Sequence, residues 1–128
     1  MQPTEGASTK AATTWDFGAD TTLSRLLAKN AEVFPGDIAM REKSKGIWQQ
    51  MTWQQVLDSM LQFAAGLESL GFKEGDVLLV VGDNRPRLYT GMISAGALGG
   101  YAMPAFPDAT LDEVRHFVPE ADARFVRA

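Results

Sequence analysis

A chain of 128 residues, 45% hydrophobic and 22% charged, has the composition of one ordinary globular domain, which at this length buries roughly two thirds of the surface its unfolded form exposes. Twelve Lys and Arg against 16 Asp and Glu leave a formal charge of -4, which favours solubility and gives no support to a nucleic-acid partner. With no cysteine there is no disulfide, thiol nucleophile or thiolate metal site, and no apolar run approaches the about 18–20 residues of a transmembrane segment.

Residues 1–20 are rich in Thr, Ala, Gly and Ser and read as a flexible leader, whose Trp15 and Phe17 are packing residues able to pin its last part to the body. Its first residues have neither a basic n-region nor an apolar h-region, so they do not read as a signal peptide, and a cytoplasmic location is expected. Residues 21–128 then read as an incomplete α/β segment. Leu23, Leu26, Leu27, Ala31 and Phe34 share one face of a 3.6-residue period, which predicts an amphipathic helix over 22–34 that Pro35-Gly36 ends. Short strands are expected at 38–42 and 47–51, joined as a hairpin at the margin of the fold, with Gly46 supplying a positive φ and Lys43 and Lys45 solvated at its tip.

Thr52-Trp53-Gln54-Gln55 has the form of a capping box, and helix 53–70 follows on a seam of Val56, Met60, Phe63, Leu67 and Leu70. Gly71 falls where a left-handed residue ends the helix, and Phe72 can fold back on its last turn. Val77–Val81 is apolar throughout, without the alternation of a strand that has one wet face, so it is expected to be covered on both faces as parallel strands are. A right-handed βαβ unit should follow, with Asn84 as N-cap, Pro86 in the first turn of a helix running to Gly99, and Tyr101–Ala105 as the second strand. Thr110 and Glu113 form a second capping box for a helix ending near Phe117 or Val118, before Pro119. A third strand at 123–126 reaches almost to the last residue, so the chain is expected to be cut from a longer sheet.

Candidate chemistry is sparse. Gly96, Gly99 and Gly100 lack the Lys and Ser/Thr of a phosphate loop, and only Gly82 follows the first strand where a dinucleotide fingerprint would stand. These glycines read as packing positions. His116 has Glu113 and Glu120 nearby, but Pro119 is expected to spoil their shared helix face, and a zinc or general-base role needs more convergent partners. Asp83, Asn84, Arg85 and Arg87 stand at the carboxyl edge of the central strand, where they can hold an anion or serve as a turn and cap. A phospho-receiver reading would place acidic metal ligands and a later lysine beside Asp83, and that company is missing.

Taken together, Pro35-Gly36-Asp37-Ile38-Ala39, Met51-Thr52-Trp53-Gln54-Gln55-Val56, Ala65-Gly66-Leu67, Gly75-Asp76-Val77, Asp83-Asn84-Arg85-Pro86 and Gly99-Gly100-Tyr101-Ala102-Met103-Pro104 closely resemble the amino-terminal part of AMP-forming acyl-CoA synthetases, in the adenylate-forming superfamily. The Thr52 segment is similar to the family's first core motif and Gly99 to Pro104 to its second, although Ala105-Phe106 replaces its usual β-branched and polar pair. Asn84-Arg85-Pro86 looks like the long-chain fatty acyl branch.

The resemblance implies the front of the large domain of a two-domain ligase: a parallel βαβαβ core preceded by helices and a small hairpin. The whole enzyme would use ATP and Mg to turn a fatty acid into an acyl-adenylate, then transfer the acyl group to coenzyme A. In the family the phosphate loop, the aromatic-Thr-Glu segment, the ribose-holding Asp and the catalytic lysine all come later, so no catalytic, cofactor-binding or metal residue is assigned within 1–128. The piece is expected to be inactive alone and to self-associate through a truncated sheet edge. The alternative is a non-catalytic adaptor that keeps this fold fragment.

Overall fold

The computed structural model describes Gly18 and residues 21–128; apart from Gly18, the expected leader of residues 1–20, with Trp15 and Phe17, lies outside the described residues. Elements follow in the order α1 (Leu23–Val33), β1 (Ile38–Ser44), β2 (Ile47–Thr52), α2 (Trp53–Ser69), β3 (Val77–Val81), α3 (Pro86–Ala97), β4 (Tyr101–Ala105), α4 (Leu111–Glu120) and β5 (Ala123–Arg127). β1 and β2 pair antiparallel as a separate hairpin, while β4, β3 and β5 form a parallel sheet in that order. This is the α/β architecture expected, with Val77–Val81 at its centre.

The unbroken apolar run of β3 is explained by cover on both faces. Leu78 and Val80 pack with Leu67, Phe72 and Ala95 beneath α2 and α3, whereas Leu79 packs with Ala105 and Ala123 beneath Val114 and Val118 of α4. A third cluster of Leu27, Val56 and Met60 joins α1, α2 and the inner face of the hairpin through Met40 and Met51. Ser94, fully buried in α3, lies 3.1 Å from the Met60 carbonyl of α2 and 2.6 Å from that of Thr90, so its hydroxyl has acceptors on both helices.

Local signals fix the helix ends. Thr52 accepts from the Gln55 amide at 3.2 Å while the Thr52 amide donates to Gln55 at 2.9 Å, completing the capping box at the start of α2. At its end Gly71 has φ 93°, its amide donates to the Glu68 carbonyl and that of Phe72 to Leu67, which satisfies two carbonyls the helix leaves free. α3 ends the same way, with Gly99 at φ 77° and the amides of Gly99 and Gly100 donating to Gly96 and Ala95.

Four expectations are corrected. The cap of α3 is Arg85, with no side-chain cap bond, because Asn84 accepts instead from the Tyr89 hydroxyl. α4 runs through Pro119 to Glu120: a proline in the last turn forfeits one amide, and the turn closes through Ala121 to Phe117 and Asp122 to Pro119. Leu23 and Leu70, counted on apolar seams, are 73% and 74% exposed because they sit at helix ends that overhang the packed body. Lys43 and Ser44 belong to β1, so the hairpin turn is Lys45-Gly46 alone, both at positive φ.

The second capping box carries a pH dependence. Glu113 accepts from the Thr110 amide at 2.7 Å and from its hydroxyl at 2.9 Å, and these bonds hold its carboxyl below the usual carboxylate range. A depressed folded pKa contributes stability that is present above the unfolded value and lost as pH falls through the folded one. Amide protection in α4, taken relative to intrinsic exchange at each pH, should therefore fall between about pH 5 and pH 3. Glu113→Gln keeps the acceptor and should flatten that dependence; an unchanged pH profile in the variant would refute the assignment.

Candidate functional site

The carboxyl edge of the parallel sheet is where open α/β folds collect ligands, above all where strand order reverses, as it does at β3 between β4 and β5. Turn residues 82–85 and the first turn of α3 crown it. Asp83 and Asn84 are exposed, and the Arg85 amide donates to the Asp83 carbonyl at 2.7 Å, which tightens the turn into α3. Pro86 then opens the helix at a position where no amide is needed.

Arg85 is the joint of this region. Its guanidinium lies 3.5 Å from Glu42 on β1 and 3.9 Å from Asp83, so it ties the hairpin to the end of β3. Both pairs are partly solvated, and exposed pairs of this kind contribute at most about 1 kcal/mol each. The Asp83 carboxylate is thereby matched to a cation, and Asn84 is engaged by Tyr89. Arg87 lines a cavity at this end of the sheet and makes no ion pair among the described residues.

Arg87 shares that cavity with a residue the sequence did not single out. Arg127, at the end of β5, lines with Arg87, Asp83 and Arg85 an open cleft of about 180 Å³. Its guanidinium carbon sits 4.1 Å over the centroid of Phe63, a cation–π contact, and its stem passes close to Gly91. Burial, with a smaller contribution from the charge of Arg87, lowers its pKa from the usual arginine value. No spacing rule could have found it, since β5 meets α2 and α3 only in the tertiary fold.

His116 is placed differently from expectation and remains at the surface. Because α4 continues through Pro119, its Nε2 lies 3.5 Å from Glu120 on a shared face, with side chains 68% and 72% exposed. Glu113 turns instead to Thr110. Among the described residues no group of three or more His, Cys, Asp and Glu converges as a metal site, and Asp83 has no acidic neighbours of the kind a phospho-receiver needs. The packing reading holds for Gly99 and Gly100 and not for Gly96: a Cβ on Gly100 would meet the Phe72 ring at 2.5 Å and the Asp76 carbonyl at 2.6 Å, one on Gly99 would meet Glu74 at 3.0 Å, and one on Gly96 would meet nothing within 4 Å.

Solved structures share this arrangement. VinN superposes with a TM-score of 0.77 at 26% identity, covering 84% of this chain and 28% of its own length. A fatty acid AMP ligase from Legionella pneumophila gives 0.75 at 23% identity, covering 80% and 18%. The NpsA N-terminal subdomain of Klebsiella oxytoca gives 0.74 at 17%, covering 83% and 27%. This chain thus spans less than a third of the length of each of them. Among the described residues no helix is long and apolar enough to cross a membrane. Residues 27–127, which run from within α1 to the end of β5, match the profile of the family described as AMP-binding enzyme, and the chain belongs to that family.

Proposed function

We propose that the chain is the front of the large domain of a fatty acyl-CoA synthetase, a segment that supplies scaffold for acyl-adenylate formation and is inactive alone. The observation that carries this reading is the family match across residues 27–127 in a chain that spans only 18–28% of its solved relatives. Asp83-Asn84-Arg85-Pro86, with its resemblance to the long-chain fatty acyl branch, and the fatty acid AMP ligase of Legionella pneumophila both support a fatty acid as the carboxylic substrate.

In the whole enzyme ATP, Mg and coenzyme A would complete the reaction, in a cytoplasmic setting. The residues present do not fit those groups: Asp83 and Glu42 are matched to Arg85, and Gly99 and Gly100 close on Glu74 and Phe72. The role of this segment is to hold the first three strands of the sheet in register. Its open β4 and β5 edges are the surfaces through which it would self-associate when isolated.

A second reading is favoured by one neighbour. VinN, whose structure is also known in complex with L-aspartate, is 27% identical to this chain in that form, which supports an amino acid as the activated acid. ATP–pyrophosphate exchange separates the possibilities. Residues 1–128 alone should give no exchange with fatty acids or L-aspartate, and robust exchange would overturn the scaffold assignment. A longer polypeptide carrying this segment should exchange with fatty acids; exchange confined to L-aspartate would replace the first reading with the second.

A further inference from the structure

We propose that the tip of the β1–β2 hairpin is a docking site for an anionic phospholipid surface. The argument begins with register. Lys43 stands opposite Trp48 and Arg41 opposite Gln50, and because side chains alternate along a strand these four share one face. The other face carries Met40 and Met51, which pack on the Leu27–Val56–Met60 cluster. The face with Trp48 therefore turns away from the body, and all four of its residues are exposed.

The apolar groups at this end are large. On the outward face Trp48 is 62% exposed; Ile47, beside the turn and 64% exposed, stands on the other face opposite Ser44. Neither is needed for the core, and the Lys45-Gly46 turn presents them on a short fixed support.

Charge identifies the occupant. The hairpin holds Arg41, Lys43 and Lys45 against a single acid, Glu42, which lies on the inward face and is drawn to Arg85 at 3.5 Å. The outward face and tip are thus purely cationic, on a chain whose net charge is -4. Three cations around an exposed Trp match a negatively charged bilayer: lysine heads meet the lipid headgroups and the indole takes the interfacial layer. A nucleic acid would be served by further flat rings for stacking, whereas the neighbour of Trp48 at the tip is aliphatic. The inference concerns this surface only and stands whichever acid the whole enzyme activates.

Co-sedimentation of residues 1–128 with vesicles tests it. The chain should bind phosphatidylglycerol–phosphatidylcholine vesicles at low salt, release them at about 1 M salt, where the Debye length falls to about 3 Å, and ignore pure phosphatidylcholine. Each cation removed should weaken binding about fivefold, so the Lys43→Glu, Lys45→Glu double variant should lose well over twentyfold. Trp48→Ala should lose roughly tenfold, and circular dichroism should show both variants folded, since the side chains altered are exposed. Brominated acyl chains should quench the native protein and fail to quench additionally through position 48 in Trp48→Phe. Equal binding by native and variant chains, equal binding to uncharged vesicles, RNA binding through these residues without vesicle binding, or burial of Trp48 by self-association would each overturn the proposal.

Discussion

Phe72→Ala should lower the unfolding free energy by about 3–5 kcal/mol, a large share of the 5–15 kcal/mol typical of a small domain. Phe72 is 3% exposed although it lies just outside a helix, because the left-handed Gly71 folds the chain back and drives the ring into the sheet. There it meets Phe125 edge-on at 5.1 Å, joining the end of α2 to β5. The same ring explains Gly100, where an added Cβ would meet it at 2.5 Å and the Asp76 carbonyl at 2.6 Å.

Two obstructions at one position give a cycle with a definite expectation. Gly100→Ala in the native background should cost about 1–3 kcal/mol or more, since a ring locked by Phe125 and a backbone carbonyl must both give way. With Phe72→Ala already in place the ring is gone but the carbonyl remains, so the second substitution should cost less without becoming neutral. Urea denaturation of the four proteins should show a coupling of about 0.5–3 kcal/mol. Strict additivity would mean that the ring moves freely and that only the carbonyl excludes a side chain.

What was legible in the sequence was mostly local. Thr52 with Gln55, Thr110 with Glu113 and Gly71 with Phe72 are pairs within a few residues, and their hydrogen bonds follow from spacing alone. The apolar run of β3 announced cover on both faces because no polar residue interrupts it. Boundaries failed where two local rules compete: Asn84 is a good cap, yet Tyr89 takes its side chain, and Pro119 is a helix breaker, yet the last turn tolerates it. The carboxyl edge was less legible still. Arg85 to Glu42 spans 43 positions and Arg127 reaches Phe63 across the sheet, so the residues lining the cleft are brought together only by packing. Alternation along β2 likewise could not show that Trp48 faces outward, since that depends on which face of the hairpin meets α2.

Leu78 and Leu79 provide the last test, because chemistry and exposure are the same while the surroundings differ. Each is 1% exposed at the centre of the same strand, and Leu→Ala at such a site costs about 2–5 kcal/mol, set by how far the neighbours can collapse into the space. Leu78 points into the layer of Leu67, Phe72 and Ala95, where α2 and α3 pack against each other around the fully buried Ser94 and cannot easily close. Leu79 points toward α4, which contributes only partly buried Val114 and Val118 and has no fully buried residue of its own. A lightly held helix can settle inward. Leu78→Ala should therefore be the costlier change by about 1 kcal/mol, with amide protection lost across α2 and α3. Leu79→Ala should spend its smaller cost locally, with protection lost first in α4. Equal costs, or a larger loss from Leu79→Ala, would show that the α4 layer is as rigid as the other face and that collapse does not distinguish them.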